Sequence, residues 1–223
     1  MNLDRTLVIA PHPDDELLGC GGTLLRRKSA GHTLGWLIVT GMTKENGWSD
    51  ERIKKRDKEI QLVASRVGFD KVYCLKLCPA RLDEMGKSDL VSRISEVFSN
   101  FSPTELFMPH RGDVHSDHRV VFDVVSSCTK WFRYGSVKRV FTYETPSETE
   151  FGRAAELAFK PNYFVNIEAY LEAKLQMLSI YESEMHEFPF PRSYRAIQAL
   201  AEWRGANSGY EAAEAFELLL ERE

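Results

Sequence analysis

The chain has 223 residues, 43% of them hydrophobic, with 29 Lys+Arg against 33 Asp+Glu and a formal net charge of -4. That size suits one globular unit with elaborations, and the mild acidic balance supplies no basic field for the phosphates of a duplex, so nucleic acid is not expected as a partner. Apolar runs such as residues 7–10 and 37–39 fall far short of the roughly 20 residues that span a bilayer, and the charged pair Asp4-Arg5 argues against a signal-peptide core. No membrane span is expected, and the location read from the chain is the cytoplasm.

In chain order, β-branched and apolar runs predict strands over residues 6–11, 33–40, 71–77, 105–109 and 138–143. Between them, apolar positions at spacings of three and four predict amphipathic helices over 21–29, 50–67, 88–100 and 116–131. Gly31 and Gly68 fall just past two of these helices, where a glycine ends a helix in a left-handed conformation. Repeated β-α-β connections with mostly apolar strands imply a doubly wound, Rossmann-like α/β fold with a mostly parallel sheet over about residues 1–145. The segment 145–152 is polar and turn-rich, and one further strand-like run follows at 163–167. Residues 168–181, 192–204 and 211–222 then read as helical. The part from 146 to 223 is therefore expected as a mainly helical extension packed on the core, within a single domain.

Cys20, Cys74, Cys78 and Cys128 are scattered with no C-x-x-C pair, the usage of reduced core thiols. The histidines are not scattered. His12 lies just past the first strand, while His110, His115 and His118 crowd the loop past the fourth.

The first strand exits as Pro11-His12-Pro13-Asp14-Asp15-Glu16. A histidine and a carboxylate three residues apart on a proline-stiffened turn can point at one centre, and adjacent carboxylates let one bind a metal while its neighbour takes a proton. Either aspartate also suits a helix N-cap. The fourth strand opens into His110-Arg111-Gly112-Asp113-Val114-His115-Ser116-Asp117-His118, which packs three imidazoles and two carboxylates into nine residues. In a parallel sheet both strand ends open on the same edge, so His12, Asp15 and one histidine of the second loop can converge on one ion.

The pair of motifs, H-P-D-D-E followed about 100 residues later by D-x-H-x-D-H, resembles the LmbE-like, or PIG-L, family of zinc-dependent N-deacetylases. The resemblance covers roughly residues 5–130 and continues more weakly beyond. It implies Zn2+ held by His12, Asp15 and His118, with a fourth position open to water. It further implies Asp14 as general base, His115 as oxyanion stabiliser and general acid, and Asp117 as the carboxylate that orients His115. Asp113 falls at a position implied to face the substrate. The R-x-x-E of the charged helix over 50–63 makes Arg56 a substrate contact by the same resemblance, although i,i+3 pairing with Glu59 is the plain physical reading. Arg192, before the penultimate helix, matches the C-terminal part of bacterial members and is expected at the substrate entrance.

The chemistry agrees with those residue types, since amide hydrolysis at neutral pH needs an acidified water, which zinc supplies. The activity expected is removal of acetyl from an N-acetylglucosamine-type sugar or conjugate. Rival readings are an amidase for a different sugar-linked or thiol-conjugate amide, a metal phosphoesterase, and a non-catalytic sugar-binding protein on the same scaffold. The partner expected is thus a small amino-sugar substrate, with oligomeric state, including a homo-oligomer, left open. Trp48, in the polar segment 41–49, suits either a mobile loop over the site or a surface anchor.

Overall fold

The computed structural model describes residues 4–223. Seven strands form one sheet: β1 (Arg5–Ala10), β2 (Thr33–Thr40), β3 (Lys71–Leu77), β4 (Glu105–Pro109), β5 (Arg139–Tyr143), β6 (Tyr163–Asn166) and β7 (Ala213–Glu221). Their order is β3-β2-β1-β4-β5-β7-β6. The first five run parallel, while β7 lies antiparallel between β5 and β6. Among the described residues, six α-helices cover the sheet: α1 (Asp15–Ser29), α2 (Asp50–Val67), α3 (Lys87–Phe101), α4 (Ser116–Ser127), α5 (Leu171–Leu178) and α6 (Tyr194–Ala206).

Alternate residues of β1 feed two cores, as the pleat requires. Val8 and Ala10 pack with Leu17 and Leu24 of α1, Val63 of α2 and Ile197 of α6. Leu7 and Ile9 pack on the other face with Ile94 and Phe98 of α3 and Val121 of α4. With both faces covered, strands β1, β2 and β4 are almost wholly buried, and the doubly wound α/β expectation holds.

Three boundaries differ from the sequence reading. The segment expected as a final helix is strand β7, because β5 and β6 offer it hydrogen-bonded ladders on both sides. Those external partners outweigh the helix propensity of Ala, Glu and Leu. Helix α4 stops at Ser127, four residues before the expected end. Helix α1 begins at Asp15 rather than near Gly21, and it is interrupted at Cys20, whose φ of -147° is not helical. Gly19 and Gly22 flank that break because Tyr143 and Ile167 lie against them, leaving no room for a β-carbon. The freed backbone groups are met by a buried pair: Glu214 of β7 accepts from the amides of Gly22 and Thr23, and Lys174 of α5 donates to the carbonyl of Leu18. Lys174 Nζ and Glu214 Oε1 are 2.7 Å apart. Among the described residues, no helix is long and apolar enough to cross a membrane.

Candidate active site

Strand β1 has β2 on one side and β4 on the other, so the chain winds away in both directions from the gap between β1 and β4. Open α/β sheets bind ligands at such a reversal, beyond the carboxyl ends of the strands. Both histidine-bearing loops sit there: β1 runs into His12 and then α1, and β4 into His110–His115 and then α4.

His12, Asp15 and His118 converge. Asp15 Oδ2 lies 3.4 Å from His12 Nδ1 and 3.4 Å from His118 Nε2. The remaining nitrogen of each imidazole faces a different carboxylate, His12 Nε2 at 3.0 Å from Asp117 and His118 Nδ1 at 2.8 Å from Asp113. Each ring is thereby fixed in orientation with one nitrogen aimed at a common point, the arrangement that carboxylates behind metal-binding histidines produce. Among the described residues, His118 Nε2 is buried and has no hydrogen-bond partner. A buried lone nitrogen beside a buried carboxylate oxygen is what a cation-ligand set looks like, so these three residues fit a metal ion. His12, His115 and Asp117 also lie close enough to hold an ion. In that group, however, Asp117 Oδ2 already takes His12 and the amide of Ala80 at 2.7 Å.

Charge follows the same geometry. Burial opposes ionisation of Asp15, but His118 and His12 outweigh it and hold the carboxyl far below the usual range. Burial likewise opposes the charge on His12, yet hydrogen bonds to Asp117 and Asp15 raise its pKa to about 9 in the protein alone. A dication would compete with those protons.

Asp14, the residue before α1, has φ 137° and ψ -28°, a strained conformation for a side chain that caps nothing. Such strain costs roughly 1–3 kcal/mol and gathers where structure over-determines a functional group. Its carboxylate is buried at the cavity wall, where Arg192 Nη1 donates to Oδ2 at 3.0 Å. Burial and then the neighbouring charge of Asp15 push its pKa up to about 7, against the pull of Arg192.

The cavity holds about 290 Å³. Beyond the ligand group and Asp14, its wall includes Met42, Trp48, Pro79, His115, Thr145 and Arg192. The indole of Trp48 lies under the Arg52 guanidinium, 5.0 Å from ring centre to Cζ, so this loop residue faces the cavity with its orientation held.

The other expected site residues divide. His115 lines the cavity, and its Nδ1 accepts the backbone N–H of Asp117 at 3.1 Å. The Asp117 carboxylate does not orient His115: it lies 4.0 Å from Nδ1 and instead binds His12 and the amides of Ala80 and Leu82. Asp113 does not face the cavity. It is 1% exposed, with one oxygen taken by His118 and the other by Thr149. Arg56 reaches the cavity wall, but its guanidinium is bound to the Pro13 carbonyl, Ser183, Glu184 and Glu59. It therefore clasps the H-P-D-D-E turn to the segment after α5. Glu184 of this clasp, and the buried Glu16–Tyr181 pair beside it, are further residues of the site's surroundings, and of the three only Glu16 has a sequence signal, as the last letter of the first motif.

Fold and site together define a doubly wound α/β protein with two histidines and one carboxylate grouped as an ion could be held, beside a buried aspartate at its sheet edge. The family described as "PIG-L: GlcNAc-PI de-N-acetylase" matches residues 7–129, and the chain belongs to that family. It is 26% identical over 183 residues to the uncharacterized deacetylase YaiS of Escherichia coli, covering 79% of this chain and 90% of that protein. It is 25% identical over 223 residues to diacetylchitobiose deacetylase of Thermococcus kodakarensis, covering 96% of this chain and 82% of that protein. The conserved protein TT1542 of Thermus thermophilus superposes with a TM-score of 0.79 at 27% identity, covering 99% of this chain and 96% of that one.

Proposed function

We propose that the chain is a zinc-dependent N-deacetylase that hydrolyses the acetamide of an N-acetylglucosamine-type sugar or conjugate to acetate and a free amine. The observation that carries this reading is the buried, unpartnered His118 Nε2 grouped with His12 and Asp15 beside Asp14. Membership of the PIG-L family and similarity to a diacetylchitobiose deacetylase support it. Two imidazoles and one carboxylate form the open type of zinc site, with borderline donors that favour zinc over magnesium or calcium. When bound by His12, Asp15 and His118, zinc supplies Lewis acidity to water and to the amide carbonyl.

Asp14 accepts the proton of the attacking water, as a buried carboxylate with a raised pKa is suited to do. His115 accepts the Asp117 N–H at Nδ1, a bond that leaves its proton on Nε2. Burial, and then the charges of His12 and His118, lower its pKa, so it serves as a neutral donor to the carbonyl oxygen as negative charge builds there. As the C–N bond breaks, Asp14 returns its proton to the departing nitrogen. Water is thereby divided between acetate and amine. Arg192 orients Asp14 and meets the substrate at the entrance, while Arg56 shapes the wall. Because the cavity wall draws Glu184 and Arg192 from beyond residue 146, we read residues 1–223 as one catalytic unit.

The test is acetate release from N-acetylglucosamine and N,N'-diacetylchitobiose. Activity is expected with zinc, is lost in chelator and returns on adding zinc back. Release that persists in metal-stripped protein would overturn the mechanism.

A further inference from the structure

Glu16 takes no part in the chemistry above, yet it is wholly buried and both of its carboxylate oxygens are engaged. The backbone N–H of Asp14 donates to Oε2 at 3.0 Å, and the hydroxyl of Tyr181 donates to Oε1 at 3.1 Å. The first bond resembles half of a capping box, in which a carboxylate in the first helical turn reaches back to the amide preceding the helix. Here that amide belongs to the residue with φ 137°, the strained point of the turn. Tyr181 is itself fully buried, and the Arg56 guanidinium lies 5.3 Å from its ring centre. Arg56 in turn donates to the Pro13 carbonyl at 3.0 Å. The carbonyl and the N–H of the one peptide bond that precedes the strained residue, Pro13–Asp14, are thus held by side chains that the segment after α5 secures.

We propose that Glu16 is a positioning residue for Asp14: by accepting the Asp14 N–H it holds the strained turn that aims the carboxylate into the cavity, and Tyr181 anchors Glu16 from the C-terminal part of the chain. The proposal rests on the reading of Asp14 as the base. Its bonds go to Asp14 and Tyr181 and not to His12, Asp15 or His118, so the effect belongs in turnover and not in metal binding.

The experiment is steady-state acetate release from N,N'-diacetylchitobiose by the zinc-loaded full chain, with zinc per chain measured on the same samples. Glu16→Leu keeps the volume and removes the acceptor. Its kcat is expected to fall about 10- to 100-fold, the scale of a small misplacement of a catalytic group, with KM and zinc content unchanged. Glu16→Gln is expected to restore most of that rate, since its amide oxygen still accepts the Asp14 N–H and its NH2 donates to the Tyr181 oxygen. Tyr181→Phe is expected to lower kcat by less than Glu16→Leu. In an Asp14→Asn background, adding Glu16→Leu is expected to change nothing further. An unchanged kcat in Glu16→Leu, zinc lost in proportion to rate, or an equal further loss in the Asp14→Asn background would each overturn the proposal. If Glu16→Leu does not fold, Tyr181→Phe decides, and an unchanged kcat there overturns it. Wild-type turnover by Asp14→Asn alone would show instead that the base assignment has failed.

Discussion

The reactive side chains at this sheet edge owe their chemistry to the groups packed around them. His118 is oriented by Asp113, itself secured by Thr149, so Asp113→Ala is expected to weaken zinc binding about 10- to 100-fold. Competition with a chelator of known affinity reads that change, and unaltered affinity would show that the carboxylate is dispensable. Asp14→Asn preserves shape and removes the proton acceptor. Its kcat is expected to fall by about 10²- to 10⁴-fold while zinc remains bound. The meeting of the two motif loops at one sheet edge could be read from the sequence because each follows a parallel strand. Arg56 could not, since its partners Ser183 and Glu184 are 127 and 128 positions away. Asp113 and Asp117 were recognisable as site residues but not in their roles, because which nitrogen a carboxylate meets depends on how two loops dock.

Helix α1 links the site to the far edge of the sheet. Its first turn carries Asp15 and Glu16, and four residues later it breaks at Cys20 against Tyr143 of β5. The Lys174–Glu214 pair mends the break, one partner on α5 and the other on β7. Removing one member of a buried, hydrogen-bonded pair typically costs about 3–5 kcal/mol, and Lys174→Met is expected to fall in that range. Urea unfolding measures it. A loss near zero would mean that α1 needs no such splice. The run Gly19-Cys20-Gly21-Gly22 signals a close approach, but not to which strand. Similarly, the Ala-, Glu- and Leu-rich end of the chain reads locally as a helix. It becomes β7 because β5 and β6 leave between them a slot that only a strand can fill.

Across the molecule, the two motif loops come from the first 118 residues, while Glu184 and Arg192 of the extension line the same cavity and Tyr181 braces Glu16 behind it. The extension is therefore part of the site as well as of the sheet. A metal bound only by the folded chain stabilises it by mass action, about 2.7 kcal/mol at a free concentration 100 times Kd. Zinc addition to stripped protein is accordingly expected to raise the thermal midpoint in step with activity, and Asp15→Ala to abolish that rise. A midpoint indifferent to zinc would count against a site formed by the native fold. The strand–helix alternation, the parallel core and the placing of both histidine-bearing loops at one sheet edge are legible in the linear chain, because hydrophobic period and motif spacing act over a few residues. The break in α1, the fate of the final segment, the anchoring of Arg56 and the carboxylate behind His12 were settled by folding. Each of those depends on a hydrogen-bond partner or a steric neighbour distant in the chain, and no local pattern encodes which one arrives.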